Sequence, residues 1–388
     1  MPSPQFAVFT PAEHRERIVR ARKALAAEGY NGAICVGAEL LNYLGGFDCC
    51  SYFSPQALIF ATEGDDDPIL LVRNIDEVNA RETSWLSDVR IYQLNFADPL
   101  EIIAEIARDL GMGNGRIAVD FGSYACTARY GFNLVEALKP ATLDDATVLF
   151  SSLQFQKSEA ELVHVRQAGK YADIGWKAAQ GVLKIGMTEG ELAAEVEYAM
   201  RSAGSEFSAL ATLCATGART PGMHSTPMNK KIEGGDVVHM EFAGVSNRYH
   251  AVSMFTFTAG EPSPLVRELY ELGNETLAAA MAECKPGNPI GRMEAASLEP
   301  LKRAGRENAY MAMFGTGLGV GYPPIWVGSL TINRWSDTIL APGMVFYAHS
   351  CLQFVEEGIG ITQGGSYLVT EDGYEAICGP GHIPLFVA

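Results

Sequence analysis

The sequence has 388 residues, 48% of them apolar and 19% charged, a composition typical of a globular chain long enough for about two domains. Its net charge of −17 argues against nucleic acid or an anionic membrane surface as a partner. The N-terminus lacks a signal-peptide pattern, no apolar run reaches the ~18 residues of a membrane span, and the 8 cysteines show no CxxC spacing, so we expect a cytoplasmic protein with reduced thiols.

The first part of the chain alternates helix and strand signals. Helical periodicity in EHRERIVRARKALAAEG and EIIAEIARDLG is interleaved with short β-prone runs, GAICVG, ALIFAT, PILLVR and RIAVDFG. Such alternation predicts a layered α/β domain, which we place over residues 1–155. A long helix then follows Ser158, which stands at capping-box spacing from Glu161, and we place the second domain over residues 156–388.

The second part of the chain contains a weak internal repeat. VLKIGMTEGELAAEVEYAMRSAG and MAECKPGNPIGRMEAASLEPLKRAG each read as a turn, an amphipathic helix and a glycine cap. The glycines they share are Gly186 and Gly287 in the turn, and Gly204 and Gly305 at the end. GGDVVHMEFAG and APGMVFYAHSC form a second pair, in which Glu241 corresponds to His349. An α+β unit with pseudo-twofold symmetry would bring these two side chains together across a central cleft.

The segments VVHMEFAG and GARTPGMHSTP carry the polar side chains best suited to catalysis. His224 lies on a loop rich in Gly and Pro, where a histidine is exposed or positioned for use. His239 alternates with Glu241 along one predicted strand, as either a second site residue or a core histidine, and His250 lies on the next strand. A carboxylate and imidazoles in one cleft can perform acid–base hydrolysis, and Glu241 can act as base, nucleophile or partner of a cation.

The segment FGTGLGVGYPPIW has glycines at alternate positions. No Lys-Ser or Lys-Thr pair follows, so these glycines indicate close backbone approach within a strand rather than a phosphate-binding loop. Its aromatic end, Tyr322 to Trp326, can stack on a flat or cationic ligand or can pack in the core.

These residues resemble the creatinase/methionine-aminopeptidase, or pita-bread, superfamily. The resemblance covers an α/β N-terminal domain, the helix from KSEAEL, the His224 loop, VVHMEFAG, GTGLGVG and the closing PGMVF and LVTEDG. Metal-binding members of the superfamily use two Asp, one His and two Glu. The five corresponding positions here are Glu241, Val252, Leu318, His349 and about Thr362. Two ligand-capable side chains do not build a dinuclear site, so the expectation is no metal and no cofactor.

Metal-free members of the superfamily hydrolyse C–N bonds in small molecules. The catalytic loop histidine of creatinase matches His224, but the acid that creatinase-like enzymes carry past the turn corresponds to Met254. Ectoine hydrolases, which open a cyclic amidine, are more similar, because their pattern recurs in EFAGVSNRYHA, GVGYPPIW and SDTILAPGM. The segments FDCCSYFSPQ and LQFVEEG lack the tryptophans expected in that family. We therefore expect the part of the pocket that contacts the substrate ring to differ.

The resemblance implies a metal-independent hydrolase of a small cyclic amidine or related compound. It also implies a homodimer or a dimer of dimers, in which the loop from Phe47 to Gln56 reaches the neighbour's cleft. Glu241 would bind the amidinium and attack it or activate water, and His224 would pass the proton to the leaving nitrogen. His250 and His349 would orient or assist. The expected substrate-binding residues are Tyr249, Tyr322, Trp326, Arg248 and Arg334. The alternatives are a creatinase-like amidinohydrolase or Xaa-Pro dipeptidase-like enzyme, and an inactive small-molecule-binding pita-bread protein.

Overall fold

A computed structural model describes residues 4–50, 52–310, 314–379 and 385. The chain divides into two compact units, Met1–Gln154 and Phe155–Ala388. The first unit is an α/β domain and the second combines helices with an antiparallel sheet, which confirms the predicted fold class. Within the described ranges, no helix combines the length and the apolar composition that crossing a bilayer requires.

The first unit is built around a six-stranded sheet. Its strands are β1 Gly32–Cys35, β2 Ala57–Ala61, β3 Ile69–Arg73, β4 Val89–Tyr92, β5 Arg116–Val119 and β6 Thr142–Asp145. Its helices are α1 Pro11–Ala27, α2 Ala38–Gly45, α3 Glu77–Thr83, α4 Pro99–Asp109, α5 Ala128–Ala137 and α6 Thr147–Ser152. The strand order is β4-β3-β2-β1-β5-β6, with β3/β4, β1/β5 and β5/β6 parallel and the other pairs antiparallel.

Local sequence signals account for these elements. The side chains of Thr10, Asp98 and Thr127 accept a backbone N–H from the first turns of α1, α4 and α5, as N-caps do. The apolar runs predicted as strands are β1, β2, β3 and β5, and all five residues of β3 are buried. Burial of such continuous apolar strands against α4 and α5 forms the core of this unit.

The loop between α2 and β2 is anchored at its ends. Phe47 and Gln56 are buried, and the Gln56 amide donates to the Asp76 carboxylate at 3.0 Å. Between them Phe53 is 75% exposed, with the guanidinium of Arg73 4.9 Å from its ring centroid. Residue 51 of this loop lies outside the described ranges. The loop thus presents an aromatic side chain at its surface.

The second unit contains an eight-stranded sheet and four long helices in its described part. The helices are α7 Glu159–Val182, α8 Glu189–Ser202, α9 Pro264–Ala282 and α10 Gly291–Ala304. The strands are β7 Leu213–Thr216, β8 Val237–Ser246, β9 Tyr249–Thr258, β10 Gly315–Gly317, β11 Thr331–Ile332, β12 Val345–Phe354, β13 Ile359–Val369 and β14 Tyr374–Cys378. The strand order is β11-β10-β12-β13-β9-β8-β7, and β14 pairs with β13.

The second unit is arranged as two similar halves. On the two sides of the β9–β13 boundary, the order β9-β8-β7 corresponds to β13-β12-β10, and α7 and α8 correspond to α9 and α10. The predicted glycines all take positive φ: Gly186 at 90°, Gly287 at 87°, Gly204 at 107° and Gly305 at 64°. Positive φ is the backbone conformation that only glycine adopts readily, so the repeated glycines mark equivalent turns and caps.

Helix α7 covers one face of the sheet. It begins with the predicted capping box, in which Glu161 accepts the Ser158 N–H at 2.9 Å and Ser158 accepts the Glu161 N–H at 3.3 Å. Trp176 packs against Phe255 of β9 with ring centroids 3.8 Å apart. Because side chains alternate along a strand, Glu241 and the even-numbered residues of β9 lie on the opposite face.

Candidate active site

A tight hairpin sets the register of β8 and β9. Its two turn residues, Asn247 and Arg248, have φ of 48° and 67°, the pair of positive values that a type I′ turn requires. The Glu206 carboxylate accepts both of their backbone N–H groups, at 2.8 and 3.1 Å. The resulting pairing places Glu241 directly opposite Met254.

One row of residues crosses four adjacent strands at the centre of the sheet. Glu241 pairs with Met254, Met254 with Gly364, and Gly364 with His349. Directly paired residues point to the same face, so Glu241 and His349 lie on one surface, as the internal repeat suggested. A Cβ atom at position 364 would lie 2.6 Å from the His349 Cβ, so the row requires glycine there.

Two further side chains of β12 flank this row on the same face of the sheet, and neither was identified from the sequence. Tyr347 and Cys351 flank His349 at two-residue spacing and share its face. The Cys351 Sγ lies 3.1 Å from His349 Nδ1 and 3.3 Å from Met254 Sδ. The rings of Tyr347 and His349 are 4.8 Å apart. Alternation along FYAHSC was the signal that could have identified both residues.

Burial controls the protonation of Glu241. Its side chain is only 5% exposed, and this raises its pKa to about 7, with the neighbouring Tyr347 hydroxyl opposing the rise. Burial and the charge on Glu241 together raise the pKa of Tyr347 well above its ordinary value, and the same two causes act on the Cys351 thiol. A cation bound beside Glu241 would favour its carboxylate form.

His349 is held as a neutral imidazole. Burial, with a smaller contribution from the nearby His224, lowers its pKa to about 4. A neutral ring can accept or donate a hydrogen bond, but it does not supply a positive charge at neutral pH.

His224 lies at the exposed tip of the loop after β7. Met223, the residue before it, is held by His239, whose Nε2–H donates to the Met223 carbonyl at 3.0 Å. The other ring nitrogen of His239, Nδ1, accepts from the Thr362 hydroxyl at 2.8 Å. Burial, with a smaller contribution from His224, lowers the pKa of His239 to about 4. His239 therefore shares the face of Glu241 but acts as a neutral support for the loop.

Both ring nitrogens of His250 form hydrogen bonds with backbone groups. Its Nε2 accepts the Ala209 N–H at 3.0 Å, and its Nδ1–H donates to the Arg248 carbonyl at 2.8 Å. Burial lowers its pKa to about 4. With both nitrogens occupied, His250 supports the hairpin and the nearby Trp326, whose ring centroid is 6.2 Å away, instead of transferring a proton.

Three of the expected substrate-binding residues cluster beside His250. The Arg248 guanidinium lies 5.3 Å from the centroid of the Tyr322 ring and 3.7 Å from the Glu206 carboxylate. Tyr322 and Trp326 are buried. His250 is four residues along β9 from Met254, about 13 Å in an extended strand. The cluster is thus displaced along the cleft from Glu241.

Three sequence-based assignments are corrected by the structure, the first being the catalytic role expected of His250, whose two ring nitrogens both bind backbone groups. Tyr249 lies on the helix-covered face of β9, where its hydroxyl donates to Glu161 at 3.0 Å. Arg334 contacts Glu294 of α10, whose carboxylate is buried. The Arg334 guanidinium lies 3.3 Å from this carboxylate, and the Arg334 backbone N–H donates to it. The Tyr249 side chain therefore points away from the face that carries Glu241, and the Arg334 guanidinium is paired with Glu294. Adjacent residues on a strand alternate faces, so Tyr249 and His250 cannot both line one cleft.

The residues present do not fit a dinuclear metal site. Val252 and Leu318 have hydrocarbon side chains and are buried, and the Thr362 hydroxyl binds His239. Opposite His349 the register places Gly364, which has no side chain. Among the described residues, no three His, Cys, Asp or Glu side chains are grouped so as to hold a metal ion. A dinuclear centre needs bridging carboxylates, and Glu241 is the single carboxylate of this row.

Comparison with known proteins places this arrangement in a family. Residues 163–371 match metallopeptidase family M24, and residues 17–154 match the creatinase/prolidase N-terminal domain. The chain is 25% identical to the ectoine hydrolase of Halomonas elongata, over 95% of this chain and 96% of that protein. It is 28% identical to a Xaa-Pro dipeptidase of Pyrococcus furiosus, over 58% and 63% respectively. The crystal structure of dipeptidase PepE from Mycobacterium ulcerans superposes with a TM-score of 0.86 at 23% identity, covering 98% of this chain and all of that one.

Proposed function

Since the chain belongs to metallopeptidase family M24, a family of hydrolases, we propose that it hydrolyses a C–N bond in a small cyclic amidine without a metal ion. The observation that carries this proposal is the central row of the sheet, where Glu241 and a neutral His349 stand without the other carboxylates of a metal centre. The similarity to an ectoine hydrolase over nearly the full length of both chains favours ectoine or a close analogue as substrate.

The chemistry follows from the charge of an amidinium. Its central carbon is electrophilic and its cation pairs with a carboxylate, so a bound amidinium draws Glu241 into the ionised form. Glu241 then either takes a proton from the water that adds to that carbon, or adds to the carbon itself, in which case water afterwards cleaves the bond between Glu241 and the opened product and frees the carboxylate. When the C–N bond breaks, the leaving nitrogen takes up a proton, which His224 delivers from the loop above the row.

The other side chains define the space around these groups. Neutral His349, in contact with Cys351, orients water or a substrate N–H through hydrogen bonding. Tyr347 and Met254 border Glu241, and Arg248, Tyr322 and Trp326 close one end of the cleft beside His250.

Activity is expected to survive metal removal. We expect the purified protein to contain no stoichiometric transition metal and to keep its turnover in EDTA, because Val252 and Leu318 offer no donor atom. Elemental analysis beside an activity assay measures this. As a control, Val252→Asp restores one carboxylate and should not create a metallopeptidase. About two metals per chain, lost together with activity, would contradict the proposal.

We also propose a homodimer in which the loop from Phe47 to Gln56 reaches the neighbour's cleft. Phe53 at 75% exposure is the aromatic side chain that such a contact would cover. Light scattering at micromolar concentration should give twice the chain mass, and Phe53→Ser should weaken association. A monomer with full activity would count against this arrangement.

The second candidate is cleavage of Xaa-Pro dipeptides. The 28% identity to a Xaa-Pro dipeptidase favours it, although that similarity covers 58% of the chain. Loss of the carboxylates that family M24 peptidases use for metal binding argues against it.

A further inference from the structure

One buried carboxylate binds both ends of the loop that carries His224. Glu189, the first residue of α8, is fully buried. Its carboxylate accepts the Thr216 N–H and hydroxyl, both at 2.9 Å, the Met228 N–H at 3.0 Å and the guanidinium of Arg219. Thr216 ends β7 and Met228 closes the loop, so the Glu189 side chain ties residues 217–228 across their base, where Lys230 also donates to the Thr216 hydroxyl at 2.9 Å.

Further contacts hold the inside of the same loop. Arg219 also donates to the Thr226 carbonyl at 3.1 Å, which places its guanidinium between the two limbs. The Thr220 hydroxyl accepts the Gly360 N–H at 2.9 Å, and Gln353 donates to the Pro221 carbonyl. These contacts and the bond from His239 leave the His224 side chain exposed at the tip of the loop.

The charge of Glu189 matters as well as its shape. The four groups around the carboxylate are all hydrogen-bond donors, and an amide in its place would turn its NH₂ toward some of them. Removing one partner of a buried ion pair also leaves Arg219 without its counter-charge. The glycines at 217 and 222 give the loop high conformational entropy when it is released, so losing this carboxylate would loosen it.

We propose that Glu189 is a positioning residue for His224: it closes the base of the 217–228 loop and so holds the imidazole where proton transfer requires it. This inference rests on the proposed function, in which His224 delivers the proton. Since Glu189 contacts the loop and not the row of Glu241, its effect falls on the catalytic rate more than on substrate affinity.

The test compares Glu189→Gln with Glu191→Gln. Glu191 lies on the same helix, is exposed and serves only the capping box with Thr188. Glu189→Gln should lower kcat about 10- to 100-fold, as misplacement of a catalytic group by about 1 Å does, and leave KM within about threefold. Hydrogen exchange of residues 217–228 should accelerate in this variant, while Glu191→Gln matches wild type in both measurements. If Glu189→Gln does not fold, Arg219→Ala replaces it in the test, because the Arg219 side chain is partly exposed. This variant should show the same changes in kcat and hydrogen exchange, but smaller ones.

A double-mutant cycle separates this inference from the proposed function. In a His224→Ala background, Glu189→Gln should cause no further loss of kcat, because both changes remove the same contribution. Independent, multiplying losses would overturn the positioning role, as would unchanged exchange of the loop. Faster exchange with full activity in His224→Ala would instead show that the loop contacts are right and the catalytic role of His224 is wrong.

Discussion

Replacing Glu241 with Gln is expected to abolish turnover. The substitution is nearly isosteric, but it removes the charge that pairs with an amidinium together with the base or nucleophile. Binding of a cationic substrate should weaken as well, which distinguishes this variant from loss of a proton donor. Steady-state kinetics and calorimetric titration measure the two effects. Near-wild-type turnover would mean that the acid is structural.

The pH dependence of the same residue provides a control for folding. The pKa of Glu241 is raised from 4.5 to about 7 in the folded protein, which therefore binds the proton more tightly than the unfolded chain does. The contribution of protonated Glu241 to the free energy of unfolding is complete below pH 4.5 and is lost as pH rises to about 7. At pH 8 the buried carboxylate costs about 3 kcal/mol, at about 1.4 kcal/mol per pKa unit. Glu241→Gln should therefore be inactive yet more stable than wild type at pH 8, with the difference vanishing near pH 4 in thermal unfolding.

The pH–rate profile should reflect the same group. Since the carboxylate is the reactive form, kcat/KM of wild type should fall as pH drops below about 7, where Glu241 becomes protonated. A profile flat between pH 5 and 8 would contradict this role.

Replacing His224 with Ala is expected to reduce kcat by about 10²- to 10⁴-fold, the usual contribution of general acid–base catalysis, with a smaller effect on binding. His224→Asn should behave similarly, since an amide does not exchange a proton near neutral pH. Added imidazole should partly restore turnover in the Ala variant. His164→Asn is the matched control, because His164 lies on α7 beside Tyr249, on the helix-covered face, and Asn keeps a polar side chain for the contact with Asn247 at the hairpin turn. Equal losses in both variants would argue for a general loss of stability.

Much of the second unit could be predicted because its signals are local. The capping box at Ser158 and the positive-φ glycines depend on a few neighbouring residues, and they appear where the sequence places them. The repeat then related two distant strands, and pairing brought Glu241 and His349 into one row. Local rules combined with one symmetry argument were sufficient for this part.

The remaining features depend on contacts between residues far apart in the chain. The bonds from Glu189 to Thr216 and Met228 span 27 and 39 positions, and no local pattern announces them. The use of both His250 nitrogens by backbone groups likewise depends on the position of Ala209. Tyr249 was misassigned for a simpler reason, since strand alternation separates it from His250.

The most direct test of the proposed function is the turnover of a small panel by chelator-treated protein. Ectoine, hydroxyectoine, creatine and a Xaa-Pro dipeptide would each be incubated in EDTA and, in parallel, with added divalent metal, and the products quantified. The proposed function predicts ring opening of a cyclic amidine at the same rate in both conditions and no dipeptide cleavage. Metal-dependent cleavage of the dipeptide with every amidine left intact would contradict it.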